Sequence, residues 1–450
     1  MSSGLLLLLL VGVAFLAAHV ASDFVAKKFV VVSGAEYLIM GILLGPNALG
    51  VLSEAQLELF APVTLLTLGF LGLALGMRCH LPTLVRVPST AWKLAFGQSL
   101  LTLITVAAII TALLLLTEEM TLWLALPPAF ALGAIAAVSL PQAVEVGARA
   151  LGREGPTVLM LRTSTLVDGL VGVCAFGILM ALDHRIVPAF ERHPTATEWA
   201  VIATGIGVTS GVLFHLFLGG EKSGDRTMIA LAGATLLCTG AATHLGLSPL
   251  FSTTVMGVIL VNTSRQREFL QQLLARAERP LVFVMLVLAG ATWNPGSDAG
   301  VVLPVVVFLL ARWLGKVGGA RLVTRANGLL RTHGPEWGRA LLGQGSLALA
   351  LGFTWLLREG SELRHMVFSA ALASMVLTDL SAARLVRSVL EPLLPFEGTA
   401  AAGRSDEPAS DIVSDAPPRS TPSAPTRPLT DPAGVPRQPA PDDPIRPAGA

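Results

Sequence analysis

The segment Thr121–Leu182, TLWLALPPAFALGAIAAVSLPQAVEVGARALGREGPTVLMLRTSTLVDGLVGVCAFGILMAL, decides the fold. It consists of two long apolar stretches joined by the short hinge Leu151–Pro156. The motif SLPQ (139–142) interrupts the first stretch, and a lone carboxylate, Asp168, lies in the second. A charge is costly in the middle of an apolar helix, and an internal proline frees backbone carbonyls that lipid cannot satisfy. Together the two features predict an ion site at membrane depth.

The composition is that of a membrane protein. The chain has 450 residues, of which 53% are hydrophobic and 14% charged, and its mean hydropathy is +0.69. Soluble domains carry about 25% charged residues, so an integral membrane protein is predicted. The net charge of +1 comes without a basic cluster, and nucleic acid is therefore not an expected partner. No glycine-rich phosphate loop occurs, which argues against ATP-driven transport. We expect a transporter rather than an enzyme, and no cofactor.

Windows of about 20 apolar residues mark membrane spans. They predict an all-α polytopic membrane protein with about 13 transmembrane helices. The predicted spans cover residues 3–21, 34–51, 60–77, 92–116, 121–149, 157–182, 198–219, 227–244, 248–263, 280–293, 300–324, 338–357 and 365–388. The first is interpreted as a retained span rather than a signal peptide, because no basic segment precedes it.

Basic residues concentrate in alternate loops between these spans. They crowd one side, as at Lys27–Lys28, Arg149–Arg153 and Arg265–Arg279, whereas an opposite loop holds Glu118 and Glu119. Because basic loops stay in the cytoplasm, the amino terminus is predicted outside and the carboxyl terminus in the cytoplasm. That arrangement requires an odd number of spans, which agrees with thirteen. The expected location is the inner (plasma) membrane of a bacterium.

Glycine- and proline-rich interruptions recur at matching places in the two halves of the chain. GILLGP (41–46) lies in the second span and GLSP (246–249) begins the ninth, while the break SLPQ in the fifth has a counterpart, GQGS (343–346), in the twelfth. Interrupted segments at corresponding positions indicate an inverted-repeat transporter. We therefore predict two inverted six-helix repeats with crossed broken helices, and a secondary transporter as the class of protein.

The end of the chain differs in character from the rest. Residues 396–450 contain 12 prolines, and such a segment cannot bury enough apolar surface to become ordered. The predicted division is a transmembrane domain over residues 1–390 and a disordered, proline-rich cytoplasmic tail over residues 391–450.

Asp168 is the candidate ion-binding residue. It lies about 17 Å into its span at the rise of an α-helix, close to the midplane. Ser164 and Thr165, four and three residues earlier, share its face and are candidate ligands. A carboxylate at this depth binds either a proton or a metal cation, which is the minimal device for exchange. The alternative is that Asp168 only satisfies a structural partner such as Lys316.

The two predicted breaks supply further candidate ligands. In the fifth span, Ser139 and the backbone near Leu140 and Pro141 would help to hold a dehydrated cation, and Gly343 and Gln344 would do so in the twelfth. The alternative for the fifth span is a simple proline kink.

Charged residues in other spans have predicted structural roles. Arg312 and Lys316 lie four residues apart and share a helix face. Because Lys316 cannot remain unpaired in lipid, it is predicted to pair with Asp168 in one state or to neutralise a helix carboxyl end. Asp379 is interpreted as a solvated carboxylate near the cytoplasmic end of the last span.

An inner funnel is the predicted position of two more charged residues. Glu145 lies at the cytoplasmic end of the fifth span, and Arg162 lies towards the cytoplasmic entrance in the sixth.

The motifs together resemble the cation:proton antiporter superfamily, the monovalent sodium/proton and potassium/proton exchangers. The resemblance covers about residues 3–390. Its carriers, beside the fifth and sixth spans, are GILLGPNALG (41–50), GFLGLALGMRCHL (69–81), GLSPLFSTTVMGVILVN (246–262), the segment 276–292 and RWLGKVGG (312–319). The resemblance implies a homodimer in which a mobile core domain moves elevator-fashion against a rigid dimerisation domain. It also implies that Asp168 is the essential cation- and proton-binding aspartate, hence the metal ligand, and Lys316 the basic residue of the eleventh helix.

Three polar positions depart from the family pattern. Val167 replaces the usual Asn, Asp or Gln before the aspartate, Thr163 replaces a glutamate, and Leu140 replaces the acid of the fifth helix. With one carboxylate left, the exchange of a proton for Na⁺ or K⁺ is expected to be one-for-one and electroneutral.

Two other functions stay open. A transporter of the same architecture for an organic anion would hold its substrate at helix amino ends and expose Arg312 or Lys316 to it. A membrane sensor or assembly subunit would have kept the fold and lost transport.

Overall fold

The computed structural model describes residues 34–117, 120–152, 155–184, 194–218, 223–294, 302–328, 336–358 and 363–391. The predicted span 3–21 lies outside these residues, and so does the predicted tail 391–450 except for Glu391. All regular secondary structure of the described part is helical.

The first eight helices are α1 (Ala35–Leu44), α2 (Glu54–Leu59), α3 (Ala61–Met77), α4 (Leu81–Leu84), α5 (Ser89–Thr117), α6 (Leu122–Ala137), α7 (Pro141–Ala150) and α8 (Pro156–Leu182). The remainder are α9 (Ala196–Leu218), α10 (Gly224–His244), α11 (Pro249–Thr263), α12 (Arg267–Ala291), α13 (Val302–Trp313), α14 (Gly319–Ala326), α15 (Gly345–Leu357) and α16 (Arg364–Leu390). A π turn, Leu314–Gly318, joins α13 to α14, and a 3₁₀ turn, Trp337–Leu341, precedes α15. Helices α7, α8 and α11 begin with proline, whose missing N–H has no partner to lose at that position.

The predicted class, an all-α polytopic membrane protein, is confirmed. Seven helical segments of the described residues are long and apolar enough to cross a membrane, and α3, α11 and α15 are shorter apolar helices. Both predicted breaks are present, since helix stops at Ala137 and resumes at Pro141, and a non-helical link precedes Gly345. The count of thirteen stays a prediction, because the first predicted span lies outside the described residues.

Two predicted spans have different bounds in the structure. The second ends as a helix at Leu44, and the backbone then turns at Gly45–Leu49. The tenth is predicted at 280–293, but α12 already begins at Arg267. The first turns of α12 carry the charged residues between Arg267 and Arg279. A search for apolar windows leaves these residues out of the span, although the helix runs through them.

Two groups of helices pack separately and meet along one boundary. The first group contains α1, α3 and α9–α12, and the second contains α5–α8 and α13–α16. Within the first, glycines let backbones touch: a Cβ on Gly76 would lie 2.1 Å from Thr254 O, and one on Gly257 would lie 2.5 Å from Leu73 O. Close backbone approach at small residues is how helices associate in lipid, where the hydrophobic effect gives little drive.

In the second group, the half-helices α7 and α15 run from the two breaks towards opposite ends of α8. The ion pair between Glu145 and Arg162, at 2.8 Å, holds α7 beside the first half of α8. The pair between Asp183 and Arg358, at 3.0 Å, puts the end of α15 beside the opposite end of α8. Opposed half-helices are what an inverted repeat requires.

Candidate ion-binding site

Two short links that are not helices cross at the centre of the second group. Val138–Leu140 connects α6 to α7, Leu342–Gln344 leads into α15, and Leu140 N donates to Gly343 O at 2.9 Å. Gly345 starts α15 with a φ of +76°, and a Cβ there would lie 2.7 Å from Leu140 Cδ1. The crossing therefore favours glycine at this point because of the positive φ, and a larger residue would also have to displace the end of the Leu140 side chain.

Arg312 ties both links together. Its guanidinium donates to Ala136 O at 3.3 Å, Val138 O at 3.0 Å and Gly343 O at 3.4 Å, and also to Leu342 O. These carbonyls lie where α6 and the 3₁₀ turn end, so a fixed positive charge offsets their partial negative charge. Arg312 is 1% exposed, and its structural role stays a prediction.

Asp379 is buried in the structure, so its prediction from the sequence as a solvated carboxylate is wrong. The side chain is fully buried, and its carboxylate accepts from Gln344 N at 2.7 Å and from Gly345 N at 3.1 Å. A carboxylate at a helix amino terminus satisfies N–H groups that have no partner in the helix. Asp379 thus caps α15 from the neighbouring helix α16.

Asp168 and Lys316 form a buried ion pair beside the crossing. Lys316 Nζ lies 2.7 Å from Asp168 Oδ2, and both side chains are 0% exposed. Lys316 also donates to Ala137 O at 2.6 Å, the last carbonyl of α6. The π turn Leu314–Gly318 contains Lys316, and such turns are frequent where a side chain must be re-aimed at a functional position.

Ser139 completes the contacts to the same carboxylate oxygen. Its Oγ lies 2.6 Å from Asp168 Oδ2, 2.9 Å from Lys316 Nζ and 2.9 Å from Leu341 O. The hydroxyl therefore accepts from the ammonium and has its single proton available for either oxygen acceptor. The crossing thus brings one side chain of the first break into the site.

Gln98, on α5, is a site residue that the sequence analysis missed. It is fully buried, and with its amide nitrogen towards Asp168 it donates to Oδ1 at 3.2 Å while its oxygen accepts from Lys316 Nζ at 3.3 Å. Both oxygens of Asp168 and its cationic partner are then hydrogen-bonded. The available signal was an amide inside the apolar span 92–116, a costly position without a partner.

Ser164 and Thr165 lie close along α8, but neither forms a hydrogen bond with Asp168. Thr165 donates to Arg162 O at 3.0 Å, one turn earlier on its own helix. Ser164 is buried, and its hydroxyl oxygen has no hydrogen-bond partner among the described residues. Their role as cation ligands stays a prediction.

Gln344 presents a free acceptor at the second break. Its Nε2 donates to Ile135 O at 3.2 Å, whereas the buried Oε1 has no partner among the described residues. Gly343, the neighbouring residue, packs against α16, where a Cβ would lie 2.7 Å from Ala382 Cβ. An unpaired buried amide oxygen is costly, and it is a suitable ligand for a dehydrated cation.

A cavity of about 690 Å³ leads towards the site from the boundary of the two helix groups. We call it the funnel. Leu140, Pro141 and Thr165 lie among its lining residues from the second group, and Arg78, Glu278 and Phe283 among those from the first. Glu145 and Arg162, predicted to line an inner funnel, both line this cavity.

A small recess of about 40 Å³ shares much of the funnel lining and also reaches Ser139 and Gln344. A separate cavity of about 300 Å³ lies along the same boundary near the end of α8. Met180, Thr354 and Arg358 line it from the second group, and Leu65, Leu68 and Leu247 from the first. The two helix groups therefore enclose one cavity towards each end of α8.

The fold has relatives among solved structures. A structure of the sodium proton antiporter MjNhaP1 from Methanocaldococcus jannaschii at pH 8 superposes with a TM-score of 0.60 at 15% sequence identity, covering 84% of this chain and 97% of that one. An electron-microscopy map of the same antiporter gives a TM-score of 0.64 at 15% identity, with 88% and 100% covered. At this identity the similarity establishes the fold.

The sequence itself carries the family assignment. Residues 14–388 match the family described as sodium/hydrogen exchanger, transmembrane, which is most of the chain. The resemblance to cation:proton antiporters stated from the motifs is thereby confirmed. This protein belongs to the sodium/hydrogen exchanger family, whose members are integral membrane transporters rather than enzymes.

Proposed function

We propose that the protein is a secondary antiporter that exchanges protons for a monovalent cation, Na⁺ or K⁺, by alternating access. The strongest support is the difference between two fully buried carboxylates. Asp379 is bonded to backbone N–H groups, which cannot move away without unfolding α15. Asp168 is bonded by an ammonium, a hydroxyl and an amide of side chains, each of which a cation or a proton can displace.

Competition for one carboxylate gives the exchange. Lys316, a proton and a cation would each occupy Asp168 in turn, because all three use the oxygen that now lies 2.7 Å from Lys316 Nζ. When Asp168 is released, Lys316 keeps Ala137 O and Ser139 Oγ as partners. Cation ligands within reach of the crossing would be Asp168, Ser139 and the free Oε1 of Gln344, with Ser164 as a further hydroxyl.

The charges of the site favour one-for-one, electroneutral exchange. A protonated Asp168 is neutral, and a carboxylate with one bound monovalent cation is neutral as well. Lys316 and Arg312 keep acceptors in either case, so the proposal leaves both charged throughout the cycle. The loaded site would then carry the same charge in both halves of the cycle.

Alternating access would come from movement along the boundary between the two helix groups. The funnel and the cavity near Arg358 both lie on that boundary, towards opposite ends of α8. Sliding of the second group, which carries the crossing and Asp168, would open one cavity as it closes the other. Such motion keeps the site rigid while its exposure changes.

Several features of the proposal come from the sequence. The chain would lie in a bacterial inner (plasma) membrane with its amino terminus outside and its carboxyl terminus in the cytoplasm, which makes the funnel the cytoplasmic cavity. It would act as a homodimer through the first helix group. Residues 1–390 would form the exchanger domain, with residues 391–450 as a cytoplasmic tail.

The rival functions find less support at the site. An organic-anion transporter would need Arg312 or Lys316 to leave its protein acceptors for the substrate, yet the Arg312 guanidinium donates to carbonyls on both crossing links. A sensor without transport has no need of a carboxylate buried beside a cavity, since that arrangement costs stability.

Exchange in proteoliposomes tests the proposal. A proton gradient is imposed, an internal dye reports pH, and Na⁺, K⁺ or choline is added to the native chain, to Asp168→Asn and to Asp225→Asn. Asp225 is an exposed residue in the first turn of α10, so it controls for the chemical change. We expect an alkali cation to dissipate the gradient with the native chain and the control but not with Asp168→Asn. Exchange by Asp168→Asn at the native rate would refute the proposal.

A further inference from the structure

The funnel carries more positive than negative charge. Four arginines line it, Arg78, Arg149, Arg162 and Arg279, against two glutamates, Glu145 and Glu278. A cleft lined by one sign of charge concentrates ions of the opposite sign. An excess of arginine works against the arrival of a cation. The positive-inside rule accounts for arginines at the cytoplasmic ends of helices, but not for their lining a cavity that leads towards a cation site.

Three of these arginines are available to a ligand. Arg162 is engaged, because its Nε and one terminal nitrogen bind the two oxygens of Glu145 at 2.8 and 3.0 Å. Arg78, Arg149 and Arg279 form no ion pair with any described residue, and all three are exposed to the funnel or its mouth. Glu278 attracts Arg78 and Arg279 electrostatically, which offsets part of their charge. A guanidinium group binds phosphate oxygens through planar, bidentate hydrogen bonds, so exposed arginines that line one cavity favour a phosphate ligand.

The deep end of the funnel adds to the positive potential. Helix α7 starts there with Pro141 and Gln142, and no side chain caps its amino terminus, whereas Asp379 caps α15. The amino terminus of a helix favours anions through its free N–H groups and its dipole.

We propose that the funnel binds a phosphate group through Arg78, Arg149 and Arg279, and that the bound anion closes the path to Asp168. A volume of about 690 Å³ is within the range of small-molecule sites. The phosphate belongs either to a soluble organic phosphate or to the headgroup of an anionic lipid. Binding is independent of the proposed function, whereas the effect on exchange rests on it.

Binding is measured first, on the purified full chain in nonionic micelles. Inorganic pyrophosphate is titrated at constant ionic strength and the melting temperature is recorded, and phosphatidylglycerol is added to the same micelles in a second arm. The variants are Arg78→Gln, Arg149→Gln and Arg279→Gln. The control is Arg325→Gln, which makes the same change at an exposed position in the last turn of α14, outside the funnel.

We expect one of the two probes to raise the melting temperature of the native chain and of Arg325→Gln alike. Each funnel variant should weaken that binding about tenfold, because a hydrogen bond to a charged group is lost. Stabilisation by pyrophosphate identifies a soluble phosphate, and stabilisation by phosphatidylglycerol alone identifies a lipid. No stabilisation by either probe, or equal weakening in all four variants, would overturn the proposed site.

Exchange then tests the blocking effect with the probe that binds. In proteoliposomes, we expect that probe on the funnel side to slow the native chain and to have less effect on Arg149→Gln. Binding without any slowing would reject the blocking effect and keep the site. If the native chain shows no exchange at all, the proposed function fails while the binding result stands.

Discussion

Removal of the ammonium of Lys316 should be strongly destabilising, and removal of its partner as well should restore much of the loss. Lys316 Nζ makes contacts of 2.7, 2.6 and 2.9 Å with Asp168, Ala137 and Ser139 in a site from which solvent is excluded. In Lys316→Met the carboxylate of Asp168 keeps only neutral partners. Breaking a buried ion pair from one side costs about 3–5 kcal/mol, because the remaining charge is uncompensated.

The double variant Lys316→Met/Asp168→Asn removes both charges. Ala137 O and Ser139 Oγ lose the bonds that the ammonium donates in both Lys316→Met and the double variant, so this loss is common to the two. The double variant differs in that it carries no uncompensated charge at residue 168. We therefore expect the double variant to be about 1–3 kcal/mol more stable than Lys316→Met alone. Unfolding of the purified chain in detergent, followed by the fluorescence of its seven tryptophans, provides the measurement.

The order of stability decides the result. The account predicts that the native chain has the highest free energy of unfolding, the double variant a lower one and Lys316→Met the lowest. A double variant that loses the sum of the two single losses would show that the two side chains are not coupled, and it would refute the pairing on which the exchange mechanism rests. Asp225→Asn, at an exposed position, should unfold like the native chain and controls for the substitution itself.

Three further predictions concern the neighbours of the pair. Asp379→Ala should lower the free energy of unfolding by about 1–3 kcal/mol, because two buried N–H groups at the start of α15 lose their acceptor. Thermal unfolding measures this, with Asp225→Ala as the control; an equal loss of stability in both variants would contradict the prediction. Arg312→Lys should also destabilise the fold, by about 2–4 kcal/mol, because one ammonium cannot reach carbonyls on both links. A melting temperature equal to that of the native chain would contradict this. Gln98→Leu should leave transport measurable but shift the cation concentration for half-maximal exchange, since the amide contacts Asp168 Oδ1; unaltered cation dependence would remove Gln98 from the site.

The site residues that the sequence predicts are those that are costly to place in lipid. Asp168, Lys316 and the break at Ser139–Pro141 are a carboxylate, an ammonium and a proline inside apolar windows, and such groups need partners. The structure brings the three together within hydrogen-bond distance. Their proximity follows from the crossing of two links, which no local pattern encodes.

Other residues were missed for equally physical reasons. Gln98 is uncharged, so a hydropathy window accepts it without signalling a site. Asp379 lies close enough to a helix end to be interpreted as solvated, whereas its partners at Gln344 and Gly345 are 35 and 34 residues away in sequence. The bounds of α12 differ because helical periodicity continues through charged residues that end an apolar window.

Proton release on cation binding tests the central claim most directly. The purified chain is placed in a weakly buffered solution with a pH indicator, and Na⁺ or K⁺ is added while bound cation is counted in parallel. The chain is first equilibrated at acidic pH, so that the proton rather than Lys316 occupies Asp168. Competition for Asp168 then predicts that the native chain releases protons in step with the cation that it binds, and that Asp168→Asn releases none. Cation binding without proton release, or equal release from Asp168→Asn, would contradict an exchange carried by this carboxylate.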